Sequence, residues 1–182
     1  PPSRALSGLS QAEAIENLLG ENELPGLVIG ESHGRDAAGP EDFITDNMDT
    51  LKEQGVDTIY VEDLLVDWQH DIDLFLSSPA NAPIPTGLQA VLDGISGTAP
   101  RLRQLLEAAK ENGLRVRAMD TGVNKGQLQE TLGGAERARR MNAFANDAIM
   151  EDPGRRGKFA LLAGKKHNQA HVPESEEEAM VP

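Results

Sequence analysis

Leu27-Val28-Ile29-Gly30-Glu31-Ser32-His33-Gly34 is an apolar run that stops at a glycine and then presents a carboxylate and an imidazole two residues apart. Unbroken aliphatic character, with no polar alternation, suits a strand covered on both faces, as in a parallel sheet. Three later runs end in a similar way. Thr58-Ile59-Tyr60-Val61 gives way to Glu62-Asp63, Leu114 to Met119 gives way to Asp120-Thr121, and Phe159 to Ala163 gives way to Gly164-Lys165-Lys166-His167.

The stretches between these runs carry helical signals. Ser10-Gln11-Ala12-Glu13 has the form of a capping box, and Ala14, Ile15, Leu18 and Leu19 follow on one face before Gly20. Pro40 suits the first position of a helix whose face is Ile44, Met48 and Leu51, with Phe43 beside it and Gly55 closing it. Asp67 to Leu76 reads as a further helix, and Pro79 to Pro85 as a loop. Residues 86–99, rich in Gly, Ser and Thr, read as only weakly helical. Pro100 opens a firmer helix with Leu102, Leu105, Leu106 and Ala109 on one side, stopped by Gly113. The last helix runs from about Ala135 to Met150, with Ala138, Met141, Ala145 and Ile149 facing inward. In the third strand Leu114, Val116 and Ala118 alternate with Arg115, Arg117 and Met119, which points to a sheet edge with one face less well covered.

Alternating strands and helices imply parallel strands joined by right-handed crossovers. The expected architecture is a single α/β domain over residues 13–172, with a mostly parallel sheet of at least four strands and helices on both faces. Residues 1–12 are expected to be an arm or linker, and residues 173–182 a disordered acidic tail. The length of 182 residues suffices for one such core.

Composition narrows the function. The chain has no cysteine, which removes disulfides and thiolate metal sites. A net charge of −13 without a basic footprint argues against nucleic-acid partners. No apolar run approaches the roughly 20 residues of a membrane span, and Pro1-Pro2-Ser3-Arg4 leads into no signal-peptide core. The first residue is Pro rather than Met, as in a fragment of a larger protein or a processed terminus.

Ligands of open parallel sheets bind beyond the carboxyl ends of the strands, and parallel strands place all those ends on one edge. The strands would deliver Glu31 and His33, Glu62 and Asp63, Asp120, and His167 there. A carboxylate can orient and polarise an imidazole, which then acts as a general base toward water. The same atoms could hold a divalent metal whose bound water is the nucleophile. Each residue also has a plainer reading. Asp63 and Asp120 are good helix caps, and His33 alone would more often be a hydrogen-bonded loop residue. Glu62 is harder to dismiss, because a carboxylate ending an apolar strand needs a partner. His70 is read as a surface residue and His171 as a minor candidate. HExxH, GxSxG, Walker A and GxGxxG motifs are absent.

Gly30-Glu31-Ser32-His33, Asp46-Asn47-Met48, Tyr60-Val61-Glu62, Met119-Asp120, Arg137 with Met141-Asn142, and Gly164-Lys165-Lys166-His167 together resemble the Tiki / erythromycin-esterase / ChaN-like superfamily. Within it they resemble most the domains found inside large multidomain bacterial toxins of the Pasteurella multocida toxin type, over roughly residues 20–170. The resemblance implies a compact α/β fold and a strand-end hydrolytic site for an ester or peptide bond. Glu31 and His33 would be its central pair, Glu62 the supporting carboxylate, His167 the histidine of the second GxxH motif, and Arg137 an oxyanion or carboxylate partner. Asp63 and Asp120 would support them. Asn168, rather than a further glutamate, stands beside His167, and the chain ends soon afterwards.

The resulting expectation is a hydrolase acting on a small-molecule or protein substrate. It would be an effector module secreted by bacteria, or delivered into a target cell, with neighbouring toxin domains. Water would be activated directly or on a divalent cation (Mn, Co or Zn), for which Glu31, His33 and His167 are the candidate ligands. Two alternatives are a haem-binding module, for which the six aromatic residues counted among Phe, Trp and Tyr are few, and a degenerate scaffold or targeting domain.

Overall fold

A computed structural model of the chain describes residues 8–31, 39–94, 99–121 and 143–164. Four strands form one sheet: β1 (Gly26–Glu31), β2 (Val56–Leu65), β3 (Arg115–Asp120) and β4 (Lys158–Gly164). They lie in the order β1-β4-β2-β3, and every neighbouring pair is parallel. The α/β architecture with a parallel sheet is therefore as the strand pattern predicts, and β3 does lie at an edge.

Seven helices accompany the sheet among the described residues. α1 (Gln11–Ile15) begins at the expected capping box, in which the Glu13 amide donates to Ser10 Oγ at 3.2 Å and the Ser10 amide to Glu13 Oε2 at 2.7 Å. It continues as a π-helical turn, Glu16–Glu21, past the Gly20 that was expected to end it. α2 (Pro40–Asp46) has its proline at the start, where a missing N–H does no harm, and α3 (Met48–Glu53) follows. Gly55 (φ 88°) and Gly113 (φ 68°) take the left-handed conformation that lets the chain leave a helix and enter β2 and β3. A 3₁₀ turn, Val66–Trp68, leads into α4 (Gln69–Ser77), and α5 (Thr86–Gly94) and α6 (Ala99–Asn112) complete the crossover. α7 covers residues 143–150.

Side chains divide the sheet into two faces. Leu27, Ile59, Val61, Val116, Ala160 and Leu162 point toward α1 to α6, whose Ile15, Ile44, Leu51, Ile72, Leu88 and Leu105 are buried against them. On the reverse face Tyr60, Met119, Leu161 and Ala163 pack with Ile149, Ala145 and Ala148 of α7. Leu102, Leu105, Leu106 and Ala109, spaced three and four apart on α6, are all fully buried. Truncating Leu105 to Ala would cost about 2–5 kcal/mol, the usual penalty of an unfilled core position.

Three local expectations are corrected. Residues 86–94 form a regular helix despite their small polar residues, because Leu88 and Leu92 are fully buried and tertiary packing outweighs weak propensity. β2 does not stop at Val61 but runs to Leu65, so Glu62 and Asp63 lie within the strand. Met119, placed by alternation on a less covered face, is buried because α7 packs there.

Candidate active site

The parallel sheet brings its carboxyl ends together in a fixed lateral order. Glu31, the last residue of β1, is the register partner of Gly164, the last of β4. On the other side of β4, Val61 of β2 pairs with Leu162, and Glu62 comes next. Asp120, the last residue of β3, pairs with Leu65. Adjacent strands are about 4.8 Å apart, so the β1 and β2 ends stand about 10 Å apart with β4 between them.

Glu62 bridges part of that gap. The regular β2–β4 ladder ends at Val61 and Leu162, and the Gly164 amide then donates to the Glu62 side chain, Oε2, at 2.6 Å. A carboxylate thus takes the place of the next main-chain acceptor. The local shape of β2 permits this. Between the pairs Val61–Ala118 and Leu65–Asp120, β2 advances four residues while β3 advances two. The surplus residues bulge β2 out of register and re-aim its side chains, a use of irregular pairing common beside binding sites. Glu62 and Asp63 are both half-buried in this bulge.

The strand-end residues predicted from sequence separate into two groups. The Glu31 backbone, Glu62, Asp63 and Asp120 stand in the carboxyl-terminal parts of the parallel strands β1, β2 and β3. His33, His167 and Arg137 lie outside the described residues, as do Met141, Asn142 and His171. His70, on α4, is exposed. Among the described residues no three His, Asp or Glu side chains stand close enough to hold a metal ion. A metal centre would therefore have to draw on residues outside those described, where the sequence-nominated His33 and His167 lie.

A second polar cluster, missed in the sequence, lies on the reverse face. The Asp152 side chain is 2 % exposed. It accepts from the Tyr60 hydroxyl at 2.9 Å, from Arg115 Nη1 and Nη2 at 3.2 and 3.1 Å, and from the Gly154 amide at 2.8 Å. Arg117 Nε lies 3.9 Å from it. Burial by itself would push the Asp152 carboxyl up, but the Arg115, Gly154 and Tyr60 hydrogen bonds and the Arg115 charge outweigh it and hold the group at about 2. Burial, then the Asp152 hydrogen bond and charge, push the Tyr60 phenol well above its ordinary value. The cluster pins the α7–β4 loop to β2 and β3. A sequence signal existed: a lone tyrosine inside an aliphatic strand, and two arginines at alternate positions of another, all requiring a buried acceptor.

No protein-family model matches the chain. It is 36% identical over 149 residues to the multifunctional-autoprocessing repeats-in-toxin of Vibrio vulnificus, and that stretch is 80% of this chain but 3% of the toxin. RRSP, a MARTX toxin effector domain from Vibrio vulnificus, superposes with a TM-score of 0.68 at 30% identity, over 92% of this chain and 32% of that chain. The C-terminal region of Pasteurella multocida toxin, described by its thiol-protease-like catalytic triad, superposes with a TM-score of 0.62 at 23% identity, over 87% of this chain and 21% of that chain. At that identity the likeness is one of fold, and the present chain contains no cysteine with which to build a thiol triad. The sheet and its helices are thus homologous to part of a MARTX toxin effector domain, and they span only a small share of the toxin that carries it.

Proposed function

We propose that this chain is the hydrolytic part of an effector module, carried by a larger secreted bacterial toxin into a target cell, and that it cleaves a peptide or ester bond at the carboxyl edge of its sheet. The observation that carries this reading is the Glu62–Gly164 hydrogen bond at 2.6 Å, which draws the β2 end onto the β4 end beside Glu31. Gly30-Glu31-Ser32-His33 and Gly164-Lys165-Lys166-His167 therefore follow from adjacent strands, with the Glu62 carboxylate supplied by β2 on the far side of β4.

In the proposed reaction His33, oriented by Glu31 or Glu62, takes a proton from water as the water oxygen attacks the substrate carbonyl. The oxyanion of the tetrahedral intermediate is stabilised by Arg137 and His167. The proton held on His33 then passes to the leaving amine or alkoxide as the carbon–heteroatom bond breaks. Asp63 and Asp120 support the set from the β2 bulge and the β3 end. A divalent cation on Glu31, His33 and His167 would supply a water of lowered pKa in place of one activated by imidazole alone.

The test uses a proteome-derived peptide library and 4-nitrophenyl acetate as probes. His33→Ala should abolish hydrolysis of whichever probe the wild-type chain cleaves, with the melting temperature nearly unchanged. Full activity in a folded His33→Ala protein sinks the reading. Dialysis against a chelator, followed by readdition of Mn, Co or Zn, separates the metal-assisted form from the metal-free one.

A further inference from the structure

The two edges of the sheet are treated differently. At the β3 edge the Gln69 side chain of α4 acts as a short substitute strand: its Nε2 donates to the Val116 carbonyl at 2.9 Å and its Oε1 accepts from the Ala118 amide at 2.8 Å. Arg115 and Arg117 add charge to the same strand. Both are recognised ways of blunting an edge against pairing with another chain. Among the described residues β1, at the opposite edge, has no such side-chain bridge, and its one charged residue is the terminal Glu31. Among the described residues its hydrogen-bonded neighbour is β4 alone. Its sequence from Gly26 to Gly30 is uncharged, Val28 is 55% exposed on the reverse face, and Gly30 is exposed with no side chain to hinder an approaching backbone.

We infer that the open edge of β1 is the docking strand for the substrate, an extended polypeptide segment that pairs main chain to main chain with Gly26–Glu31. The inference rests on the peptide-cleaving form of the reading above, and it names the substrate class. β1 runs directly into Glu31, so a peptide laid along it is led to the strand-end carboxylates. Six residues of strand span about 20 Å, enough to register a comparable length of peptide. Main-chain pairing supplies affinity with little demand on sequence, and alternate side chains of the added strand supply selectivity.

The test again uses the proteome-derived peptide library. Cleavage products identify the peptide cut fastest by the wild-type chain, and that peptide is resynthesised with single N-methyl groups along its length. Amide hydrogen exchange of His33→Ala is then measured with and without the library. Strand docking requires slowed exchange across Gly26–Glu31, and N-methylation that lowers kcat/KM about tenfold at every second peptide position, because alternate amides face β1. Cleavage without slowed exchange, or with penalties confined to residues beside the cut bond, overturns docking and leaves the hydrolase reading standing. Slowed exchange without any cleavage overturns the hydrolase reading, and with it the role of β1 as a docking strand for a substrate. Slowing at these amides that grows with protein concentration in the absence of peptide assigns the edge to a second copy of the chain and overturns docking, and the absence of both slowing and cleavage overturns both.

Discussion

Glu62 and Gly164 are joined side chain to main chain across the ends of β2 and β4, the carboxylate accepting from the amide at 2.6 Å. The contact holds two strand ends together where their ladder has lapsed, and it does so with a carboxylate that stands at the proposed site. A structural and a chemical role therefore meet in one side chain, and substitution can separate them. Glu62→Gln keeps an acceptor oxygen for the Gly164 amide and should leave stability within about 1 kcal/mol of the wild type. Glu62→Ala leaves that amide without its partner and should cost about 1–2 kcal/mol. Urea unfolding midpoints at unchanged slope measure both. If the negative charge orients His33, both variants lose hydrolysis together. Wild-type kcat/KM in Glu62→Gln would make Glu62 a clip between strands and nothing more.

Tyr60 is the chain's one tyrosine, so its ionisation can be followed without interference from another. Burial and the adjacent Asp152 raise its folded pKa, whereas the unfolded phenol keeps the ordinary value of 10.0. A raised folded pKa contributes stability that is fully present below the unfolded value and is lost as pH climbs beyond it. Tyrosinate absorbance should therefore stay absent through pH 10 and appear in step with alkaline unfolding, as followed by circular dichroism. In Asp152→Asn the negative neighbour is gone, and the tyrosinate signal should appear at lower pH than in the wild type. A phenol that titrates near pH 10 while the circular dichroism stays native would show that the Tyr60–Asp152 contact does not hold in solution.

The sheet was readable from the sequence because its signals are local and redundant. Leu27–Ile29, Thr58–Val61 and Phe159–Ala163 are each too apolar for a loop and too short for a helix, and the Arg115/Arg117 alternation marked β3 as an edge before its place was known. The lateral order β1-β4-β2-β3 was not readable, since no local pattern says which strand a helix returns its chain to. The order matters for the site, because it alone sets Gly164 between Glu31 and Glu62. The β2 extension to Leu65 was hidden for a related reason. Glu62-Asp63 ends an apolar run in sequence, but a bulge against β3 lets polar residues stay in the strand. Asp152 gave no signal of its own. An aspartate followed by Pro153-Gly154 reads as a turn residue, and its burial follows from Arg115 and Tyr60, which are distant in the chain.

The Asp152 cluster also makes the fold sensitive to acid. Its carboxyl titrates at about 2 when folded, against the ordinary value of 3.8 when the chain is unfolded. A depressed folded pKa contributes stability that is present above the unfolded value and is lost as pH falls from 3.8 through about 2. For a shift of this size the contribution is about 2 kcal/mol. Urea midpoints measured between pH 5 and 2 should fall, and Asp152→Asn should start lower and fall less steeply over that window. An identical slope in the variant would place the acid sensitivity in other carboxylates.

Gln69 gives the clearest test of how the β3 edge is held. Its amide donates to the Val116 carbonyl and to Asp73 Oδ1, at 2.9 and 2.7 Å, and accepts from the Ala118 amide at 2.8 Å. Gln69→Ala removes both strand contacts and should cost about 1–2 kcal/mol, since two main-chain groups must find water instead. Gln69→Glu keeps the acceptor for Ala118 but turns a carboxylate oxygen toward the Val116 carbonyl and toward Asp73. Like partial charges then oppose each other, so this variant should be the less stable of the two at pH 7. Acidification should narrow its deficit, because a protonated carboxyl regains a donor for Val116 and its folded pKa is raised by the same repulsion. Chemical denaturation of the three proteins at pH 7 and pH 4 decides it. A Gln69→Glu deficit that is independent of pH would mean that the side chain has rotated away from the edge, and that Arg115 and Arg117 protect β3 unaided.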